Sequence, residues 1–566
     1  MRALAGKADS VERLVSAYSD GNISRREFVK RGTALGLTMS AMSALLAEAA
    51  GAATRRTGQS AATRGGTLKE GYDLDFSRMD PIATTWYDPG FYALYQSLVD
   101  KDPKGRIVPD LASSWKFSRD GLTATFKIRK GVRFHTGRPL TSKAIKEVYD
   151  AIADPKSGSP LRSLWAPVAR TLAPDPQTLV IKLQHPYFNL LNVVQTGYWA
   201  IVNTKTRNKV GAAEYGKKVI DGTGPFTFVE WVPGDHVTVK RWDQFSGSIV
   251  PYFKNKGKAY LDAIRWIAIL EAAQRATRIE NGEINTLRGP NFPDVPRLKK
   301  NRNLTVTELK EWSGYVLGPN FKRTELGFDD LRVRQAISQA INRKAIGDKL
   351  FFGLAEPMYG PVTTGDANYN KAVERFNQFD PDKSKALLDD AGWKVGAGGI
   401  RQKGGKKMAF TLTIQAETFN QQLGAVTQAQ LRDVGMDVKV EALDRGTFFN
   451  KLFAGTTDAW IFFYLWPVPI DVVSLFVNSV NADGKGPNWS NAKLPEVDAA
   501  VDRWLKAKNA AQLRAGSRAL QLKIAEQLPI IPLINRRAFW VYRKNVHGYL
   551  VHQWNLYPHY TDVWLS

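Results

Sequence analysis

The chain has 566 residues, 43% of them hydrophobic and 23% charged, and it contains no cysteine. That length exceeds what one hydrophobic core serves well, so more than one core-bearing lobe is expected, and the composition excludes a disordered chain. The missing thiols exclude disulfides, thiolate metal sites, cysteine nucleophiles and a lipidated N-terminal cysteine, while the formal net charge of +25 favours anionic surfaces or ligands without naming one.

In chain order, Ser24-Arg25-Arg26-Glu27-Phe28-Val29-Lys30 reads as a twin-arginine export signal, with Arg25 and Arg26 as the address. The uncharged run from Gly32 to Ala47 that follows falls short of the roughly 20 residues of a permanent membrane span. Small residues after Glu48 suit cleavage between Ala49 and Thr54, so 1–53 is expected to be a removable signal peptide. This leader carries seven Lys/Arg and five Asp/Glu, which leaves the basic balance to the body of the chain. No other run is long enough to span a bilayer.

The body opens with a short strand at Leu68, a turn at Asp80-Pro81 and a helix after it. From Leu122 to Phe134, Phe126 and Ile128 alternate with Thr125, Lys127 and Arg129, which predicts a half-buried strand broken at Gly131. Thr141 or Ser142 caps a helix whose Ile145, Val148/Tyr149 and Ile152 recur at helical spacing up to Pro155. Asp329 or Asp330 caps a second, with Val333, Ala336/Ile337 and Ala340/Ile341 on one face. Asp380-Pro381 starts a third that stops at Gly392. Gly396 to Lys407 is expected to be a flexible hairpin loop. Leu423, Val426, Leu431 and Val434 make a helix closed by Gly435, and Met436, Val438 and Val440 then alternate as a strand. Interleaved helices and strands mean α/β architecture.

The glycines give no phosphate loop, and Pro225 after Gly222-Thr223-Gly224 cannot open a dinucleotide helix. The six histidines lack metal-ligand spacing, so no metal or other cofactor is expected. The lysine clusters are short and scattered, which reads as solvated faces and not as a nucleic-acid track. No nucleophile elbow, kinase set or marked carboxylate pair is present, so an exported hydrolase is the competing class without a motif to support it.

Several segments resemble the family-5 extracellular solute-binding proteins, which serve ABC importers of peptides, nickel complexes, glutathione, opines and oligosaccharides. They include Leu94 to Val99, Val108 to Trp115, Asp120 to Gly137, Gly222 to Phe226, Asn281 to Asn285 and Asp330 to Ile337, in the family's order. The resemblance implies a periplasmic binding protein fold of two lobes joined by two hinge crossings, with the ligand cleft between them. Lobe I would comprise 64–315 plus 536–566, with an inserted subdomain at about 100–220, and lobe II 316–535. It further implies a non-enzymatic, monomeric periplasmic protein, soluble and not lipid-anchored. Its partners would be the twin-arginine export machinery, a small-molecule or peptide ligand, and ABC permease subunits with separate ATPase subunits.

Peptide-binding members hold the ligand amine with an aspartate three residues after a tryptophan. If Trp466 is that tryptophan, the position holds Pro469, and Asp471 is the substitute two residues on. The resemblance also places Thr85, Trp86 and Tyr87 on the cleft-facing segment of lobe I and Asn535 near the second crossing. A peptide or similar polar solute is the expected cargo, with an opine, oligosaccharide or metal chelate as the alternative.

Overall fold

The computed structural model describes residues 62–84, 88–309, 313–366, 368–376, 378–466, 469–555 and 557–566, together with 11, 14–15, 17–18, 23–38, 40–42 and 45–46 of the leader. The chain divides into two compact units, Met1–Thr63 and Arg64–Ser566. In the first, helix Arg25–Ala34 starts at Ser24, whose hydroxyl accepts from the Glu27 amide (3.2 Å). Arg26 is exposed, and Phe28 is buried with Leu14 and Met42 in a small apolar cluster.

The second unit is built on two sheets. In the first, strand Thr67–Tyr72 lies parallel to Ala263–Ala268 on one side and to Thr286–Arg288 on the other. Antiparallel strands widen it to seven, ending at Leu304–Leu309 on one edge and Phe226–Val232 on the other. The second sheet has six strands; Ala409–Gln415 lies parallel to both Ala459–Leu465 and Asp437–Leu443, the last of which forms one edge. The chain passes from the first sheet to the second between Leu309 and Ser313, and returns between Arg536 and Ala538. These are the two crossings of a two-lobed α/β fold. A separate four-stranded antiparallel sheet, Ala112–Phe117, Thr123–Ile128, Thr178–Leu183 and Val168–Asp175, is inserted within the first sheet's span of sequence.

Local chemistry accounts for the element ends. Thr141 caps helix Ser142–Ala153, Asp330 accepts from the Arg332 amide (2.9 Å) at the head of Leu331–Ala340, and Asp380 accepts from Lys383 (2.9 Å) ahead of Pro381–Asp390. The turn after Asp80 leads to a helix of only four residues, Phe91–Leu94. The Gly222-Thr223-Gly224 segment packs against the end of that helix. A Cβ at Gly224 would stand on the Ala93 carbonyl, so only glycine fits. His135 fixes the same segment: its Nδ1 accepts from the Gly222 amide (3.2 Å), which leaves Nε2–H to donate to the Gly224 carbonyl (3.1 Å). Burial pushes its pKa down to about 4 and keeps the ring neutral.

The C-terminal segment folds back onto the first sheet. Glu70, buried at the centre of strand Thr67–Tyr72, accepts from the hydroxyls of Tyr549 (2.7 Å), Thr286 (2.9 Å) and Tyr560 (3.1 Å). Residues 394–407 form a small three-stranded meander where a flexible hairpin loop was expected. Its anchor is Arg401, which is 2% exposed. The guanidinium donates to Asp389 (2.9 Å) and to the carbonyls of Val434 (2.9 Å) and Trp393 (2.6 Å). A buried cation with its donors paired holds the loop down despite its five glycines.

Candidate functional site

Between the two sheets lies a cleft of about 740 Å³, inside the range of about 300–1,000 Å³ usual for small-molecule sites. Its walls are residues just past strand ends: Asp73 after Thr67–Tyr72, Gly289 after Thr286–Arg288, Glu417 after Ala409–Gln415, and Arg536 closing Ile531–Arg536. Parallel strands make this placement natural, because their carboxyl ends open together into a crevice.

Six cationic side chains line the cleft, Arg275, Arg288, Lys349, Arg445, Arg536 and Arg537, against three acidic ones, Asp73, Glu271 and Glu417. Asp73 pairs with Arg288 (2.9 Å) and lies 3.9 Å from Arg536. Arg288 also lies over the rings of Tyr72, Trp540 and Tyr557 at 5.3–5.7 Å. Arg536 lies 4.3 Å over the Phe463 ring, and Arg445 reaches across to the Asp75 carbonyl (3.2 Å). Arg275 donates to the carbonyls of Ile269 (3.0 Å) and Leu270 (3.4 Å), and its Nε is buried without a hydrogen-bond partner. Burial raises the Glu417 carboxyl, while the nearby Arg445, Arg536 and Arg275 charges pull it down.

The apolar part of the cleft is aromatic. Tyr315 packs on Phe463 (4.8 Å between centroids) and Phe419 (5.3 Å), and Phe292 from the first lobe meets Phe419 edge-on at 6.4 Å.

The site residues expected from sequence take other positions. Trp466 is 5% exposed and stacks at 4.2 Å and 18° on Tyr198 of the inserted region. A small apolar cavity of about 40 Å³ adjoins that stack, lined also by Tyr464 and Trp489. Pro469 opens helix Pro469–Val477, and Asp471 in its first turn is buried, with Oδ1 accepting from Asn189 Nδ2 (2.9 Å). The network continues to Asn192, which donates to Asn189 (3.0 Å) and accepts from Lys101 Nζ (2.8 Å). Burial raises Asp471 to about 7 and lowers Lys101 to about 8. Asn535 pairs with Glu356 across two strands and borders a second, narrow pocket with Tyr359 and Thr363. Trp466 and Asp471 are thus brought together on the face toward the inserted region, and Asn535 is separate. Thr85, Trp86 and Tyr87 lie outside the described residues.

Sequence reasoning missed the arginines of the cleft. They come from four separate segments and form no motif; the one signal was Arg536-Arg537 directly after Asn535 at the second crossing.

A lobe on each of two mixed sheets, joined by two crossings around a cleft, is the architecture of periplasmic binding proteins. The oligopeptide-binding protein AppA from Bacillus subtilis, solved with a nonapeptide, superposes with a TM-score of 0.79 at 25% identity, covering 89% of this chain and 100% of its own. DppA from Helicobacter pylori, an ABC transporter-associated periplasmic binding protein solved with the peptide STSA, gives 0.79 at 22%, covering 89% and 98%. The glutathione-binding protein GsiB of Escherichia coli K12 is 27% identical over 495 residues, 86% of this chain and 90% of its own. The family model of the bacterial extracellular solute-binding proteins, family 5 Middle, matches residues 106–486, and the chain belongs to that family. Among the described residues no helix is long and apolar enough to cross a membrane.

Proposed function

We propose that the chain is exported by the twin-arginine route, loses residues 1–53, and works in the periplasm as a monomer without a lipid anchor. It captures a peptide or similar small polar solute and hands it to an ABC permease driven by separate ATPase subunits. It catalyses nothing. Lobe I (64–315 and 536–566) and lobe II (316–535) close on the solute, and the closed shape reports occupancy to the permease. The observation that carries this reading is the 740 Å³ cleft, whose walls come from the ends of both sheets. Such a cleft desolvates a ligand on two sides at once.

A non-peptide solute is the second reading, and the Trp466 loop favours it. If Trp466 is the family's tryptophan, the position of the amine-binding aspartate holds Pro469 at a helix start, and Asp471 already accepts a hydrogen bond from Asn189. A carboxylate so engaged must give up that partner before it holds an ammonium group.

Mass spectrometry of solute released from protein purified without denaturation tests the proposal. A stoichiometric small molecule that rebinds saturably and emerges unchanged is the expected result. Conversion to a product would establish an enzyme instead, and absence of any retained or rebinding solute across peptides, opines, oligosaccharides and metal chelates would overturn capture.

A further inference from the structure

The charge of the cleft is out of balance, and the imbalance falls on both walls. Arg275 and Arg288 stand on the first lobe, Lys349 and Arg445 on the second, and Arg536 and Arg537 at the crossing between them. Arg537 is already paired with Glu308 and Glu356, and against the other five cations stand three carboxylates. Asp73 is already shared between Arg288 and Arg536. Glu271 and Lys349 are both exposed, so solvent screens both charges. Glu417 is held toward its neutral form by burial. Arg275 is positioned by the carbonyl oxygens of Ile269 and Leu270, and Arg536 lies over the Phe463 ring as well as near Asp73. Carbonyl and ring contacts orient a guanidinium without cancelling its charge.

Two like-charged walls around a concave space repel more strongly as they approach, because the effective dielectric falls as water leaves. An anion between them reverses the sign of every one of those interactions and accepts from the guanidinium donors, among them the unpartnered Arg275 Nε. Beside the cations lies the aromatic surface of Phe292, Phe419 and Phe463, with Arg536 at the border between the two.

We propose that the solute of this cleft is an anion with an apolar body, its negative group set among Arg275, Arg445 and Arg536 and its apolar part on Phe292, Phe419 and Phe463, and that the anion enables closure of the lobes. This rests on the reading that the cleft is the capture site. Neutral polar solutes of the same shape leave the walls repelling and are rejected.

Matched pairs test it on the full mature chain by calorimetry: the tripeptide Ala-Phe-Glu against Ala-Phe-Gln with an amidated C-terminus, and phenylsuccinate against its diamide. The acid of at least one pair is expected to bind about tenfold or more tightly than its amide at low salt. That advantage should shrink as ionic strength rises. R275Q should reduce affinity for the acid about tenfold and so shrink the ratio of acid to amide affinity. R445Q gives the same readout if R275Q fails to fold. Equal binding of acid and amide, an acid preference untouched in both variants, or no binding by either acid overturns the assignment. A retained solute found by mass spectrometry to be neutral or cationic also overturns it, and leaves capture itself standing. Failure to retain or bind any solute removes the capture reading instead.

Discussion

Gly289 shows how closely the cleft wall is fitted. Its φ is +69°, a conformation glycine adopts freely, and a Cβ there would run into the Asp73 carboxylate. G289A is therefore expected to lose about 1–3 kcal/mol of stability in denaturant unfolding and to disturb the Asp73–Arg288 pair. Asp471 gives a second prediction. Its carboxyl titrates near 3.8 when exposed and near 7 in the fold, so between those pH values the unfolded chain gives up a proton that the folded chain keeps. Wild-type stability from this group is fully present below about pH 4 and falls as pH rises toward 7. D471N keeps an oxygen for Asn189 and carries no charge. Its stability relative to the wild type should rise across that window and level off above it, by at most about 4 kcal/mol, read as the difference in unfolding free energy from pH 4 to 8. His135 acts in the opposite sense: with its pKa near 4 in the fold against 6.5 outside, its contribution is lost as pH falls from about 6.5 to 4. A scan that compares only D471N with the wild type cancels this term.

Among the elements, those set by local chemistry were legible in sequence. Asp330, Asp380-Pro381 and Thr141 each cap the helix that follows them, because a cap needs only its own side chain and the next few amides. The 394–407 meander was not legible. Its glycines suggest a loose loop, and the residue that orders it, Arg401, is tied to Asp389 and Val434, whose proximity no pattern along the chain reveals. R401A should cost about 3–5 kcal/mol in thermal or denaturant unfolding, since it leaves the carbonyls of Trp393 and Val434 buried and unpaired. The same logic hid the lining of the cleft. Trp466 stood out by resemblance and proved to be half of a stack with Tyr198, a residue from a different sheet's insertion. The arginines of the cleft are ordinary surface residues until strand ends from both lobes bring them together.

For the whole molecule, division of the chain at Thr63 predicts that protein beginning near residue 54 unfolds with the same midpoint as the full chain, within about 2 °C by calorimetry. The two-lobed plan was legible only through resemblance, since strands of one sheet come from positions as far apart as Thr67 and Arg543 and no local period marks their pairing. One residue at the return crossing ties the two sheets together. Arg537 holds Glu308 on the edge strand of the first sheet and Glu356 (3.5 Å) on the edge strand of the second, so a single guanidinium spans the joint. Rotation of one lobe against the other must stretch one of these pairs, which makes Arg537 a torsion spring with a rest angle. The pairs are partly exposed, so dissolved ions soften the spring. The empty protein should therefore sample wider angles in high salt or as R537Q, visible as a larger radius of gyration in X-ray scattering.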